Sequence, residues 1–199
     1  MLPLPAHSLA EAHLYLKVTP CGECSKGPWE VAGEPAGDGD RRTLAARCHH
    51  CGAAQEFTFQ CDRARAAPGL EDLPVEPINP TDQPSRIIDL GQWISLFYHL
   101  LESADRTPDK IEARRLGFEA AQCLDEALKF YGDDELPARS CFFADASRQA
   151  FAEHPEKFAR QRLRDMRVRL PDLRAMARRV AEDGRGHPAR RRWWRFWKA

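Results

Sequence analysis

Apolar and polar positions alternate along short stretches in the first third of the chain, a pattern typical of strands with one buried face. Phe57 and Phe59 fall on one side of the last stretch, and Thr58 falls on the other. Glycines and a proline in residues 33–40 predict a turn or loop. The strands that the alternation predicts cover residues 14–18, 29–31, 43–48 and 56–60.

Proline dominates the segment that follows, with five prolines between residues 68 and 84. Because proline cannot donate to a sheet and disrupts a helix interior, we expect residues 63–85 to form an extended, irregular connector. Its apolar side chains indicate that it lies against a surface: Leu70, Leu73, Val75 and Ile78.

Beyond residue 86 the apolar positions recur with a helical period. One stripe predicts a central helix, apolar around much of its circumference: Ile87, Leu90, Trp93, Ile94, Phe97, Leu100 and Leu101. Thr107 before Pro108 predicts the start of a second helix with Thr107 as its N-cap, and Gly132 predicts its end. The stripe of this second helix is Leu116, Ala120, Leu124, Ala127 and Tyr131.

Shorter helices are predicted over residues 145–153, 155–169 and 171–183, with Phe158, Leu163 and Met166 facing inward in the second of them. The fold class expected from these elements is α+β, a small β module followed by an all-α helical domain and a basic aromatic tail. The predicted division is residues 1–62 for the β module, 63–85 for the connector, 86–183 for the helical domain and 184–199 for the tail.

Four of the seven cysteines form two Cys-x-x-Cys pairs, Cys21 with Cys24 and Cys48 with Cys51, which are 23 residues apart. The short turn inside each pair directs both sulfurs to one ion, and four thiolates complete a tetrahedral shell that suits Zn²⁺. A chain with no export signal favours metal binding over disulfides. Because a four-cysteine shell has no open position for water, we expect a structural Zn²⁺.

These pairs, with Gly52 after the second pair and the alternating strands around both, give residues 12–62 a resemblance to the zinc-ribbon family. The first pair departs from the usual pattern, since Ser25 rather than glycine follows Cys24. The resemblance implies a structural zinc site in a small β module. Such modules commonly bind nucleic acids or proteins and rarely perform chemistry themselves.

Other interpretations of the cysteines stay open. A Cys-x-x-Cys pair also suits thiol–disulfide exchange, and four thiolates can hold iron. His49 and His50 lie inside the second turn, where we expect them to be exposed or to hydrogen-bond to the thiolates. Cys61 is a spare ligand or an unremarkable thiol, whereas Cys123 and Cys141 are predicted to be buried.

The composition is that of a folded chain, with 43% hydrophobic and 30% charged residues. No apolar run is long enough for a transmembrane segment and no secretory signal is evident, so we expect a cytoplasmic protein. The formal net charge is zero, but residues 159–199 hold 14 basic and four acidic side chains. A basic end of this kind can meet an acidic partner or fold onto the acidic remainder of the chain.

The tail concentrates cations and large aromatic rings, which have three competing uses. They can anchor in a protein partner, bind phosphates and stack on bases of a nucleic acid, or make peripheral contact with an anionic membrane. The predicted partner-binding residues are Arg190, Arg191, Arg192, Trp193, Trp194, Arg195, Phe196 and Trp197.

No catalytic motif is found in the sequence: it has no phosphate-binding glycine loop, no His-Glu-x-x-His and no Gly-x-Ser-x-Gly. The sequence therefore predicts a non-catalytic, zinc-binding interaction protein, an adaptor or accessory subunit that presents the ribbon and the tail to a protein partner. The alternatives are a nucleic-acid-binding factor that uses the same two parts and a thiol redox protein.

Overall fold

In a computed structural model, which describes residues 2–61 and 78–170, a four-stranded sheet with one helix inserted after its first strand comes before a set of packed helices. Its strands are β1 (Leu4–Ala6), β2 (Trp29–Val31), β3 (Arg41–Cys48) and β4 (Ala54–Cys61). The order across the sheet is β1-β4-β3-β2, with β1 parallel to β4 and the other pairs antiparallel. The mixed α+β class is confirmed.

Three of the four predicted strands are confirmed as β2, β3 and β4. Leu44 pairs with Phe57 across β3 and β4, and Phe57 and Phe59 both face the core. On the opposite face, Thr43 and Thr58 bring their hydroxyl oxygens to 3.1 Å. This alternation is the period-two pattern of the sequence, since neighbouring side chains in a strand point to opposite faces.

The strand predicted over residues 14–18 is wrong, because these residues belong to helix α1 (Leu9–Val18). The Ser8 hydroxyl caps this helix by accepting the Glu11 backbone N–H at 3.0 Å. Leu14 and Leu16 alternate with more exposed residues, yet both are buried because neighbouring elements cover a wide arc of the helix. A window of five residues therefore fits the period of a strand as well as the period of a helix.

The remaining helices are α2 (Leu90–Arg106), α3 (Lys110–Leu128), α4 (Asp145–Glu153) and α5 (Arg160–Val168). The central position predicted for α2 is confirmed by complete burial of Trp93 and by its extensive packing against α3. Thr107 is not the N-cap of α3: its hydroxyl donates to the Ser103 carbonyl, and the Asp109 carboxylate caps α3 instead. Helix α3 ends at Leu128, four residues before Gly132.

The helix predicted over residues 145–153 is confirmed as α4, whereas the one predicted over residues 155–169 is interrupted. A 3₁₀ turn (Pro155–Phe158) comes first, Ala159 is extended, and α5 follows. The break occurs because the Arg160 and Gln161 backbone N–H groups donate to Glu135, at 2.8 and 2.9 Å. Phe158 and Leu163 are buried and Met166 is half-buried, while the helix predicted over residues 171–183 lies outside the described residues.

Candidate metal centre

Two turns of closely similar backbone geometry carry the paired cysteines. Residues 21–26 follow α1 and lead to β2, and residues 48–53 connect β3 to β4. In each turn the fifth residue donates its N–H to the carbonyl of the leading cysteine, at 2.8 Å in the first and 2.9 Å in the second. The leading cysteine donates its own N–H to the carbonyl of the sixth residue, at 2.6 and 2.8 Å.

The fifth residue of both turns also takes the same backbone conformation. Ser25 has φ of 56° and Gly52 has φ of 77°, so both lie in the left-handed region that favours glycine. The first turn therefore reaches the conformation of the second in spite of the serine that departs from the zinc-ribbon pattern.

The two turns bring four sulfurs together. The Sγ atoms of Cys21, Cys24, Cys48 and Cys51 all lie within 4.8 Å of one another. Two contacts between the turns measure 3.7 Å, Cys21 to Cys51 and Cys24 to Cys48. A tetrahedral ion with metal–sulfur bonds of about 2.3 Å separates its ligands by about 3.8 Å, whereas a disulfide bond is about 2.05 Å long. The arrangement therefore suits a shared metal ion.

The sulfurs also lie at different depths. Cys21 and Cys48 are buried, Cys24 is half-buried and Cys51 is exposed. Cys48 lies opposite Trp29 in the β2–β3 pair, and the Trp29 and Phe57 rings are 5.2 Å apart. The cluster therefore attaches the edge of the sheet to the core and faces solvent on its other side.

Backbone N–H groups hydrogen-bond to the sulfurs, and the thiols of Cys48 and Cys51 differ in pKa. Donation from the Cys51 and His50 N–H groups lowers the pKa of Cys48 to about 7. The Ala53 N–H acts in the same direction on Cys51, but partial desolvation of its sulfur and the neighbouring sulfurs raise the pKa of Cys51 to about 12. Four thiolates this close repel one another, so a cation is needed to hold all of them ionised.

The charged and polar side chains beside the cluster are not part of the group of four sulfurs. Arg47 donates to the Gly52 carbonyl at 3.2 Å, which places one cation beside the second turn. His49 is exposed and its Nδ1 lies 2.6 Å from the Glu30 carboxylate, while His50 is exposed too. Exposure of both histidines is one of the two alternatives that the sequence leaves open for them.

The other predicted site residues do not join the cluster. Cys61 is half-buried at the end of β4, Cys123 is buried as predicted, and Cys141 is half-buried rather than fully buried, with its Sγ 3.6 Å from the Phe130 carbonyl. The eight predicted residues of the tail, 190–197, lie outside the described part of the chain.

A buried polar group was not predicted. Burial raises the pKa of Glu11, and it raises that of Glu126 to about 7. Glu126 receives hydrogen bonds from Lys129 at 2.7 Å and from Asn79 at 3.0 Å. The only signal in the sequence is that Glu126 borders the apolar stripe of α3, and that signal does not identify its partners.

Comparisons of the chain with protein-family models, curated proteins and solved structures found no match. Within residues 2–61 and 78–170, no helix combines the length and the apolar character needed to cross a membrane.

Proposed function

We propose that Cys21, Cys24, Cys48 and Cys51 bind one structural Zn²⁺ and that the sheet around them is a zinc-ribbon module. The observation that supports this is the set of four Sγ atoms within 4.8 Å, supplied by two turns with matching hydrogen bonds. Four sulfurs fill a tetrahedral shell, so the ion has no open position at which to activate water. Its contribution is to folding, because a module of this size has a small core.

A closed structural ion of this kind fits a protein that binds a partner. The protein is a non-catalytic interaction protein, an adaptor or accessory subunit, that presents the ribbon and the tail residues 190–197 to a protein partner. Aromatic and arginine side chains are the commonest anchors of protein interfaces, which supports this role for the tail.

The charges on the open face of the sheet favour a protein partner over a nucleic acid. Two basic and two acidic side chains lie there: Arg41, Arg47, Glu30 and Glu56. Glu30 lies opposite Arg47 in the register of β2 with β3. A phosphate backbone is attracted by a surface of one sign, whereas a mixed surface matches another protein.

Affinity purification from native lysate tests this function. Full-length protein is compared with a chain lacking residues 188–199 and with a chain whose tail has the same residues in scrambled order. We expect a defined protein that co-purifies with the full chain and is lost from both variants.

Single-stranded oligonucleotide binding provides the opposing outcome. Tight binding that weakens steeply with salt, and that Arg192→Ala with Trp193→Ala abolishes, would establish the nucleic-acid alternative instead.

A further inference from the structure

A groove beside the first cysteine turn is not used by the metal centre. Its volume is about 720 Å³, and it runs between β2, the end of α1 and the middle of α2. Val18, Trp29, Val31 and Leu96 give it an apolar floor. A groove of this size can hold several residues of a peptide.

One wall of the groove is the open edge of the sheet. Strand β2 is the last strand in the order β1-β4-β3-β2. The flanking residues Pro28 and Ala32 make backbone hydrogen bonds to the β3 side, at 3.0 and 2.8 Å. Because antiparallel strands direct alternate residues to opposite edges, the N–H and C=O groups of Trp29 and Val31 face away from β3. Within residues 2–61 and 78–170 no backbone hydrogen bond engages these groups, so they can pair with an added strand.

The side chain of Trp29 in this strand carries a buried donor. Trp29 is 4% exposed, and its indole N–H has no hydrogen-bond partner among the described residues. Because this nitrogen has less than 1 Å² of accessible surface, a ligand in the groove does not reach it, and binding relies on the edge, floor and rim of the groove.

The rim of the groove is basic. Lys26 is exposed, and Lys17 keeps 42% of its side chain exposed although it lies 3.8 Å from Glu119. The acid of the rim, Glu30, is hydrogen-bonded to His49. The rim therefore complements an acidic ligand, which excludes the basic tail of this chain as its occupant.

We propose that the groove binds an extended segment of a partner protein that alternates apolar and acidic residues and adds as a strand to β2. The apolar side chains pack on Val18, Trp29 and Leu96, and the acidic ones meet Lys17 and Lys26. This inference rests on the proposed function as an interaction protein and names one of its binding surfaces. The open edge of β2 pairs with a polypeptide backbone, which a nucleic acid does not have.

The test uses a library of random ten-residue peptides, selected against zinc-loaded full-length protein. We expect selected peptides to alternate apolar residues with Asp or Glu. In fluorescence anisotropy, Lys17→Gln combined with Lys26→Glu weakens binding of the best peptide about tenfold, as expected for two partly exposed charges. The matched control, Lys110→Gln with Lys157→Glu, leaves binding unchanged, because both lysines are exposed and neither lines the groove.

N-methylation of the probe tests strand addition itself. Methyl groups on one set of alternate peptide amides should weaken binding at least about tenfold, and on the other set much less, because only one set faces β2. Equal effects of the two sets, selected peptides without acidic residues, or an equal loss in the lysine control would overturn the proposal. So would binding that only deletion of residues 188–199 removes, a result that contradicts the groove but agrees with a tail that recruits the partner.

Discussion

At the scale of single residues, the two cysteine turns reach one conformation with different side chains. Gly52 takes its positive φ without a steric penalty, whereas Ser25 bears the cost that a Cβ brings in the left-handed region. Each turn needs this conformation because it lets the fifth N–H donate back to the leading cysteine carbonyl. Correct placement of the sulfurs therefore depends on a residue that contacts no metal.

Substitution of the fifth residues measures this dependence. Gly52→Ala should lower the free energy of unfolding by about 1–2 kcal/mol, and the loss is purely conformational because nothing lies within 4 Å of the added Cβ. Ser25→Gly should be close to neutral, because relief of the positive φ offsets the greater chain entropy of glycine.

Gly22→Ala is the control for these variants. Its site is equally open, but its φ lies outside the positive range, so stability should hold or rise slightly. Urea denaturation in excess zinc is the measurement. A loss for Gly22→Ala as large as that for Gly52→Ala would show that bulk, and not the backbone conformation, determines the effect.

At the scale of elements, one buried carboxylate joins α2 to α4. Asp89 is completely buried and forms a capping box with Gln92 at the start of α2. The same carboxylate accepts the Phe143 and Ala144 backbone N–H groups and the Ser147 hydroxyl, each at 2.8 Å. It therefore caps the start of α2 and fixes the residues that lead into α4.

Close packing at this junction predicts opposite effects for two glycines in helices. A Cβ on Gly91 would lie 2.6 Å from the Ser147 hydroxyl oxygen, so Gly91→Ala should destabilise the protein by about 1–3 kcal/mol. Gly117→Ala in α3 meets nothing within 4 Å and should stabilise by about 0.5–1 kcal/mol. Thermal unfolding followed by circular dichroism distinguishes them, and two shifts of the same sign would contradict the packing described here.

The elements also show what the sequence alone can predict. Strands β2 to β4, helix α4 and the cysteine pairs follow from local spacing, because a strand face and a Cys-x-x-Cys turn need only neighbouring residues. The sequence predicts a strand in place of part of α1, because burial of Leu14 and Leu16 fits the period of a strand as well as that of a helix that is buried around much of its circumference. The break before α5 and the buried Glu126 depend on residues more than 20 positions away, which no local pattern contains.

At the scale of the whole molecule, Glu126 connects the segment that begins at Ile78 to the helices. Its carboxylate accepts from Asn79, and Lys129 donates both to Glu126 and to the Thr81 carbonyl at 2.6 Å. The charge of Glu11 in α1 also raises the pKa of Glu126. Burial outweighs Lys129 and Asn79, so the pKa of Glu126 is raised to about 7.

This group makes stability fall as the pH rises. The folded chain keeps the Glu126 proton up to about pH 7, whereas the unfolded chain releases it near the ordinary value of 4.5. The stabilisation is complete below pH 4.5 and is lost between pH 4.5 and 7, in total about 3 kcal/mol. Glu126→Gln should flatten that part of the profile, measured by urea denaturation at each pH. The exposed control Glu153→Gln should not, and an unchanged slope in Glu126→Gln would refute this assignment.

The most direct measurement is the metal content of the purified chain by native mass spectrometry, with circular dichroism on the same samples. We predict one zinc ion per chain, retained by the control Cys61→Ser with Cys141→Ser. Cys21→Ser with Cys24→Ser should lose the ion together with the signal of the sheet. A metal-free chain that is still folded, or a double variant at Cys21 and Cys24 that keeps its zinc, would contradict a structural ion held by the four sulfurs.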